Sequence, residues 1–315
     1  MSESLVVGAG AIGSGVAGEL IARGDAVTVA SRSATAVDGA TAVALDASDA
    51  AAFAAAAAGH DTIFLTPNPT YHKWPELWPP LYRAAIEAAS RSGARLIVMS
   101  NLYAYGEGAS MPMTESSPLH ATAPNGKARQ QGWELVKAAH DRGEIRAVEV
   151  RASDYFGPGV GGTSQMGSMF FEPVVAGKTA RVVGSATQPH TFSYLPDIVR
   201  TLVAAADSEL VGRVWHVPSP EPLTRLQLSE QINALTGRQG KVRRYPAWEM
   251  TALGVFVPFL KAVNSVAYQF DKPFVMDSTE TEQLLGLTST PWDDALAATV
   301  DWYQSRVAHT AKAHQ

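Results

Sequence analysis

Short apolar runs alternate with amphipathic or alanine-rich stretches through the first half of the chain. Residues 5–7, 27–30, 43–46, 61–65 and 95–99 read as strands. The unbroken apolar pattern of the last is that of a strand buried on both faces. Between them, 14–23, 49–58 and 82–91 read as helices, the second on alanine propensity alone. A helix over 124–142 and a strand over 146–151 continue the alternation. This order, without internal repeats, predicts an α/β fold built on a doubly wound parallel sheet. After Gly157 the segments become short and are punctuated by Pro and Gly. They predict a smaller C-terminal α+β lobe over the carboxyl edge of the sheet. The expected division is 1–157 and 158–315, with a segment near 190–217 returning to the first domain.

Three glycines, Gly8, Gly10 and Gly13, follow the first strand in the spacing G-x-G-x-x-G and open the first helix. Strand, glycines, helix and second strand in this order form the dinucleotide-binding fingerprint of a Rossmann-type unit. Gly8 permits the turn, and Gly10 lets the backbone at Ala11 and Ile12 approach a pyrophosphate at the positive helix end. Gly13 allows close helix–strand packing. The second strand runs into Ser31 and Arg32 rather than an acidic residue. An arginine fork matches a 2′-phosphate, so NADP(H) is expected over NAD(H); the alternative is a solvated loop arginine. Asp46 either bonds an adenine amino group or caps the helix after it. Leu65 and Thr66 end the fourth strand, where ligands bind in open α/β sheets. The stretch 66–80 reads as a loop carrying Tyr71, His72, Trp74 and Trp78, aromatics that either meet a ligand or pack over the sheet.

Of the 315 residues, 46% are hydrophobic and 17% charged, with net charge −5 and no basic stripe, so no nucleic-acid partner is expected. The absence of cysteine excludes disulfides and thiolate chemistry and suits a reducing cytoplasm. The histidines are scattered, so no metal site is expected, and no G-x-S-x-G elbow marks a hydrolase. The first 23 residues contain Glu3 and Glu19 and lack a basic start, unlike a secretory leader. The longest apolar stretch, 252–260, is far short of the about 20 residues that span a bilayer. No membrane association is expected, and the tail over 308–315 reads as frayed.

Together the glycines, Asp46, Ser100–Gly106 ending in Tyr-Gly, Lys127, Arg151–Pro158 ending in Phe-Gly-Pro, and 191–198 (TFSYLPDI) give the chain its resemblance. It resembles the extended short-chain dehydrogenase/reductases, the NAD-dependent epimerase/dehydratase family, over nearly its whole length. Val7 stands where that family has the first glycine of G-x-x-G-x-x-G. The resemblance implies a serine or threonine after strand five and a Y-x-x-x-K pair on the next helix. Alignment on Tyr105-Gly106 puts Asn101 at the serine position. Alignment on Lys127 puts Ala123 at the tyrosine position. The usual acid is therefore missing, and an atypical active site is expected.

Tyr103 is the substitute proton donor, with Lys127 lowering its pKa and holding the ribose, and Asn101 bonding the substrate oxygen. The other reading of Tyr103 is a pocket-lining aromatic. After strand six the resemblance places Ser153 at the cofactor and Asp154 and Tyr155 at the substrate. Trp74, Met166, Met169 and Phe170 flank the expected pocket, which favours an apolar substrate. His190 stands where relatives carry a phosphate-binding arginine, and Asp197 reads as a helix cap. The expectation is NADP(H)-dependent reduction of a carbonyl or enone of a small apolar molecule. The alternatives are a nucleotide-sugar epimerase or dehydratase, or a non-catalytic NADP-binding protein. A homodimer through the helices at 82–91 and 127–142 is implied by analogy.

Overall fold

Seven parallel strands form the central sheet of the computed structural model, which describes residues 2–162, 164–246, 248–249 and 257–312, with side chains to 306. In chain order the sheet uses β1 (Glu3–Val7), β2 (Ala26–Ser31), β3 (Thr41–Ala44), β4 (Thr62–Leu65), β5 (Arg95–Asn101), β6 (Arg146–Ala152) and a last strand from Val214–His216. The spatial order places that last strand at one edge, then β6, β5, β4, β1, β2 and β3. Chain order reverses between β1 and β4, and a crevice at the carboxyl ends of these strands is the binding position of such sheets.

Both faces are covered, so β1 and β5 are apolar throughout their middles. On one face lie α1 (Ala11–Ala22) and, in contact with it, α6 (Leu195–Asp207). Val199 presses against Gly15, where a Cβ would sit 2.7 Å from a Val199 methyl. The other face carries α2 (Ala50–Ala57), α3 (Trp74–Ser92) and α4 (Pro124–Asp141). The second helix starts at Asp49, whose carboxylate accepts from the Ala51 and Ala52 amides.

The expected loop over 66–80 is half helix, because α3 begins at Trp74 and runs through Pro79 and Pro80. Trp74, Trp78, Leu81 and Tyr82 are buried along it at helical spacing. Burial of these four large side chains outweighs the backbone hydrogen bonds that the two prolines delete, a loss of several kcal/mol by the usual cost of interior proline.

The C-terminal lobe contains β7 (Asp154–Phe156), α5 (Phe171–Val175), β8 (Thr179–Val182), β9 (Phe192–Tyr194), α7 (Arg225–Thr236) and β11 (Lys241–Arg244), while α6 and β10 (Val214–His216), between β9 and α7, belong to the first domain. β10 is the strand that returns to the central sheet beside β6. The chain ends with α8 (Pro258–Ser265), α9 (Tyr268–Asp271), α10 (Thr279–Leu285) and α11 (Trp292–Lys312). Phe156, Phe170, Phe171, Phe192 and Tyr303 fill a separate core there. Asp197 is not a cap: it lies inside α6, and its buried carboxylate accepts from the Thr290 amide and hydroxyl, tying the approach to α11. Of the apolar stretch 252–260, residues 252–256 lie outside the described residues and 258–260 open α8. Of the tail, 313–315 lie outside them, while the helix extends to Lys312. Among the described residues no helix is long and apolar enough to cross a membrane.

Candidate active site

The turn from β1 into α1 is shaped by its glycines. Gly8 has φ +111°, and a Cβ there would press on the Pro67 nitrogen at 2.8 Å. A Cβ on Gly13 would overlap the Gly8 carbonyl oxygen, so any other residue would push α1 off the strand. Thr66 locks the same corner, its hydroxyl donating to the Val7 and Gly8 carbonyls at 3.0 and 3.2 Å. A Cβ at Gly10 would meet nothing within 4 Å, and no side chain caps α1. The first-turn amides of α1, at Ala11 and Ile12, are thus left without a side-chain cap at a positive helix end. That cradle fits a dinucleotide pyrophosphate.

At the end of β2, the Ser31 hydroxyl accepts from the Thr35 amide at 2.9 Å, and Arg32 is exposed. Asp46 lies near it and accepts from the amide and hydroxyl of Ser48, which hold its carboxyl below the usual range. The cap of α2 is Asp49 instead. Leu65, expected at the cofactor, is instead fully buried in the core, and Thr66 after it lines the cavity.

A cavity of about 370 Å³ opens where β4, β5 and β6 end. Its wall includes Ile12, Thr66, Trp74, Ser100, Asn101, Tyr103, Ser153, Asp154 and Tyr155. The Tyr71 hydroxyl donates to the Tyr103 oxygen at 3.3 Å, and the Gln269 amide also acts on the Tyr103 hydroxyl. Burial pushes the Tyr103 hydroxyl well above its ordinary pKa, with Tyr71 and Asp154 adding to the shift, and burial raises Tyr71 to about 12. Both hydroxyls are therefore protonated at neutral pH. Asn101 accepts from the Tyr103 amide at 3.1 Å, capping the turn over Leu102–Tyr105 that aims Tyr103.

Lys127 is not on the wall of this cavity. It is exposed on α4, and the Tyr103 shift is upward rather than the downward one a neighbouring ammonium would cause. The inward-facing i,i+4 pair is Asn125 and Arg129, two residues further along. Asn125 donates from its amide to the Tyr71 carbonyl at 3.1 Å. Arg129 lines the cavity, donates to the Tyr82 hydroxyl at 3.1 Å and stacks 3.7 Å over the Trp78 ring. The signal was present in the helix period. Gly126, Ala128, Gly132, Trp133 and Val136 define the buried face, and residue 129 falls in phase with it while 127 does not.

Met166 and Phe170 are fully buried in the lobe's aromatic core and not on the cavity wall; Met169 and Gln165 face the cavity instead. His190 is also buried, stacked among Phe192, Phe270 and Phe274. Its Nε2 meets Ser153 Oγ at 3.3 Å and Asp154 Oδ2 at 3.1 Å, while Nδ1 meets the Gln269 carbonyl at 3.1 Å. It fixes the floor of the cavity. The sequence marks Tyr71 only as one aromatic of the 66–80 stretch, and Gln269 lies in a segment with no local sign that it meets Tyr103. Among the described residues no cluster could hold a metal ion.

The profile of the NAD dependent epimerase/dehydratase family matches residues 4–217. The chain belongs to that family. This family member is 20% identical over 225 residues to mouse dTDP-D-glucose 4,6-dehydratase, covering 70% of the chain and 58% of the mouse protein. It is 25% identical over 160 residues to UDP-glucuronic acid decarboxylase 1 of Xenopus tropicalis, covering 49% and 38%. The matched part thus spans about half the length of these relatives. UDP-glucose 4-epimerase of Thermotoga maritima, solved with UDP-glucose, superposes with TM-score 0.80 at 19% identity over 97% of this chain and 99% of that one. The dTDP-glucose 4,6-dehydratase of Streptomyces venezuelae, solved with NAD bound, gives 0.78 at 20% identity over 96% and 97%. Identities this low establish the shared fold.

Proposed function

We propose that the chain is an NADP(H)-dependent oxidoreductase acting on the carbonyl or enone of a small, fairly apolar molecule. The observation that carries this reading is the half-buried Tyr71–Tyr103 hydroxyl pair on a cavity wall that also carries Trp74, Tyr155 and Phe274, at the sheet's switch point. When bound, the nicotinamide supplies or takes the hydride. The Gly8–Gly13 turn would hold the pyrophosphate, and Arg129, stacked on Trp78 and bonded to Tyr82, adds a positive charge to the cavity wall. Tyr103 holds a proton toward the substrate oxygen, and Tyr71 steadies it by donating to the phenol oxygen. Asn101 keeps Tyr103 aimed through its backbone amide. Trp74 and Phe274, both buried, screen the cavity from water.

The named relatives support a second reading, an epimerase or dehydratase of nucleotide sugars. The two differ in stoichiometry. A reductase consumes one NADPH per product, whereas an epimerase or dehydratase regenerates its cofactor. Following product and 340 nm absorbance together across carbonyl compounds and nucleotide sugars decides between them. One cofactor consumed per product supports the reductase; product without net cofactor change supports the second reading.

The NADP(H) preference rests on Arg32. Arg32→Ala is expected to weaken NADPH binding about ten- to a hundredfold, as for one charge-assisted contact, with little effect on NADH. Titration of both cofactors checks this, and equal losses would contradict it.

A further inference from the structure

The cavity wall carries buried polar groups that the protein leaves without partners. Gln269, on the short α9, is 1% exposed; its amide faces the Tyr103 hydroxyl, yet neither its oxygen nor its nitrogen meets a partner with good hydrogen-bond geometry. The Ser100 hydroxyl, 2% exposed on the same wall, is also unpartnered. The backbone of Gln269 is fully engaged: its amide donates to the Val266 carbonyl at 3.3 Å, and its carbonyl meets His190 Nδ1 at 3.1 Å. The side chain is thus held at the cavity, beside Tyr103, by a rigid main chain. A buried amide without partners costs roughly 1–3 kcal/mol per unsatisfied group, so a merely structural position would be better filled by an apolar residue of the same volume.

We propose that the Gln269 amide reads a hydroxyl or similar donor–acceptor group on the carbon next to the one that reacts at Tyr103. The ligand class is then an α-hydroxy carbonyl compound or its vicinal diol, not a plain ketone or alcohol. This rests on the reading of Tyr103 as the group facing the reacting oxygen. The amide oxygen accepts from that hydroxyl and the amide nitrogen donates to it. A site built to hydrogen-bond a ligand group discriminates strongly against the analogue lacking it, because its own polar atoms then stay unpaired.

The test is binding to the protein saturated with NADP+, read by tryptophan fluorescence, since Trp74 lines the cavity. The probes are 1-phenylethane-1,2-diol and 1-phenylethanol, on wild type and Gln269→Met. Wild type is expected to hold the diol at least tenfold more tightly. Gln269→Met is expected to bring the ratio close to one and to leave the melting temperature unchanged or higher, because it removes an unsatisfied buried amide. Equal affinities in wild type, no saturable response to either probe, or a preference that survives in the variant would each overturn the proposal. The turnover assay under Proposed function is separate. A diol preference lost in Gln269→Met with no carbonyl turnover would keep Gln269 as the reader while refuting the reductase reading.

Discussion

Tyr103→Phe should lose turnover by about 10²–10⁴-fold, the usual contribution of a positioned general acid, while cofactor affinity stays within a fewfold of wild type. The variant keeps the ring that packs 6.0 Å from Trp74 and removes only the hydroxyl. Because burial holds that hydroxyl far above its ordinary pKa, it remains protonated across the working range. No alkaline loss of activity from its ionisation is expected up to about pH 10, the unperturbed tyrosine value. Steady-state kinetics with a turned-over carbonyl substrate, with cofactor titrated separately, checks both points. Unchanged kcat in Tyr103→Phe would remove the residue from the mechanism.

Arg151→Met should destabilise the fold by about 3–5 kcal/mol, the size expected when one partner of a buried ion pair is removed. Arg151 Nε donates to Glu149 Oε1 at 2.6 Å with both side chains within 1% of full burial, so the variant strands a carboxylate in the interior. Glu149 Oε2 already lacks a partner. The guanidinium also sits 4.7 Å over the Tyr105 ring, and the Tyr105 hydroxyl meets His216 Nε2 at 2.7 Å. His216 Nδ1 in turn donates to the Asp277 carbonyl at 2.7 Å, which fixes one tautomer. This cluster clamps the turn carrying Tyr103, so stability and site geometry are linked there.

Burial keeps His216 neutral, with its pKa lowered to about 3. Its folded value lies below the unfolded one near 6.5. The stability it contributes is therefore complete above pH 6.5 and drains away as pH falls toward 3, by roughly 1 kcal/mol per pH unit. Urea denaturation of wild type, Arg151→Met and the double variant Glu149→Leu/Arg151→Met measures these effects. The double variant should be the more stable of the two, and equal stability of wild type and Arg151→Met would contradict the buried-pair account.

Much of the fold was legible because parallel strands buried on both faces announce themselves as apolar runs. The glycine turn was equally plain, since steric demands at Gly8 and Gly13 leave few other residues possible. The start of α3 was hidden by Pro79 and Pro80, local helix breakers overruled by the burial of Trp74, Trp78 and Tyr82. Lys127 misled for a different reason. Matching one lysine to a motif ignored the helix period, which puts Arg129 on the buried face. Met166 and Phe170 were sorted into the lobe core by contacts with Phe171, Phe192 and distant Tyr303, which no local pattern reveals. The meeting of Gln269 with Tyr103 is likewise a product of tertiary packing between segments more than 160 residues apart.

The most direct test is equilibrium titration of the purified protein with NADPH and NADH, followed by the fluorescence of the reduced nicotinamide. Saturable binding, tighter for NADPH and abolished by Gly13→Val, is the predicted result. Failure to hold either nucleotide at millimolar concentration would contradict the assignment of the Gly8–Gly13 turn as a dinucleotide site.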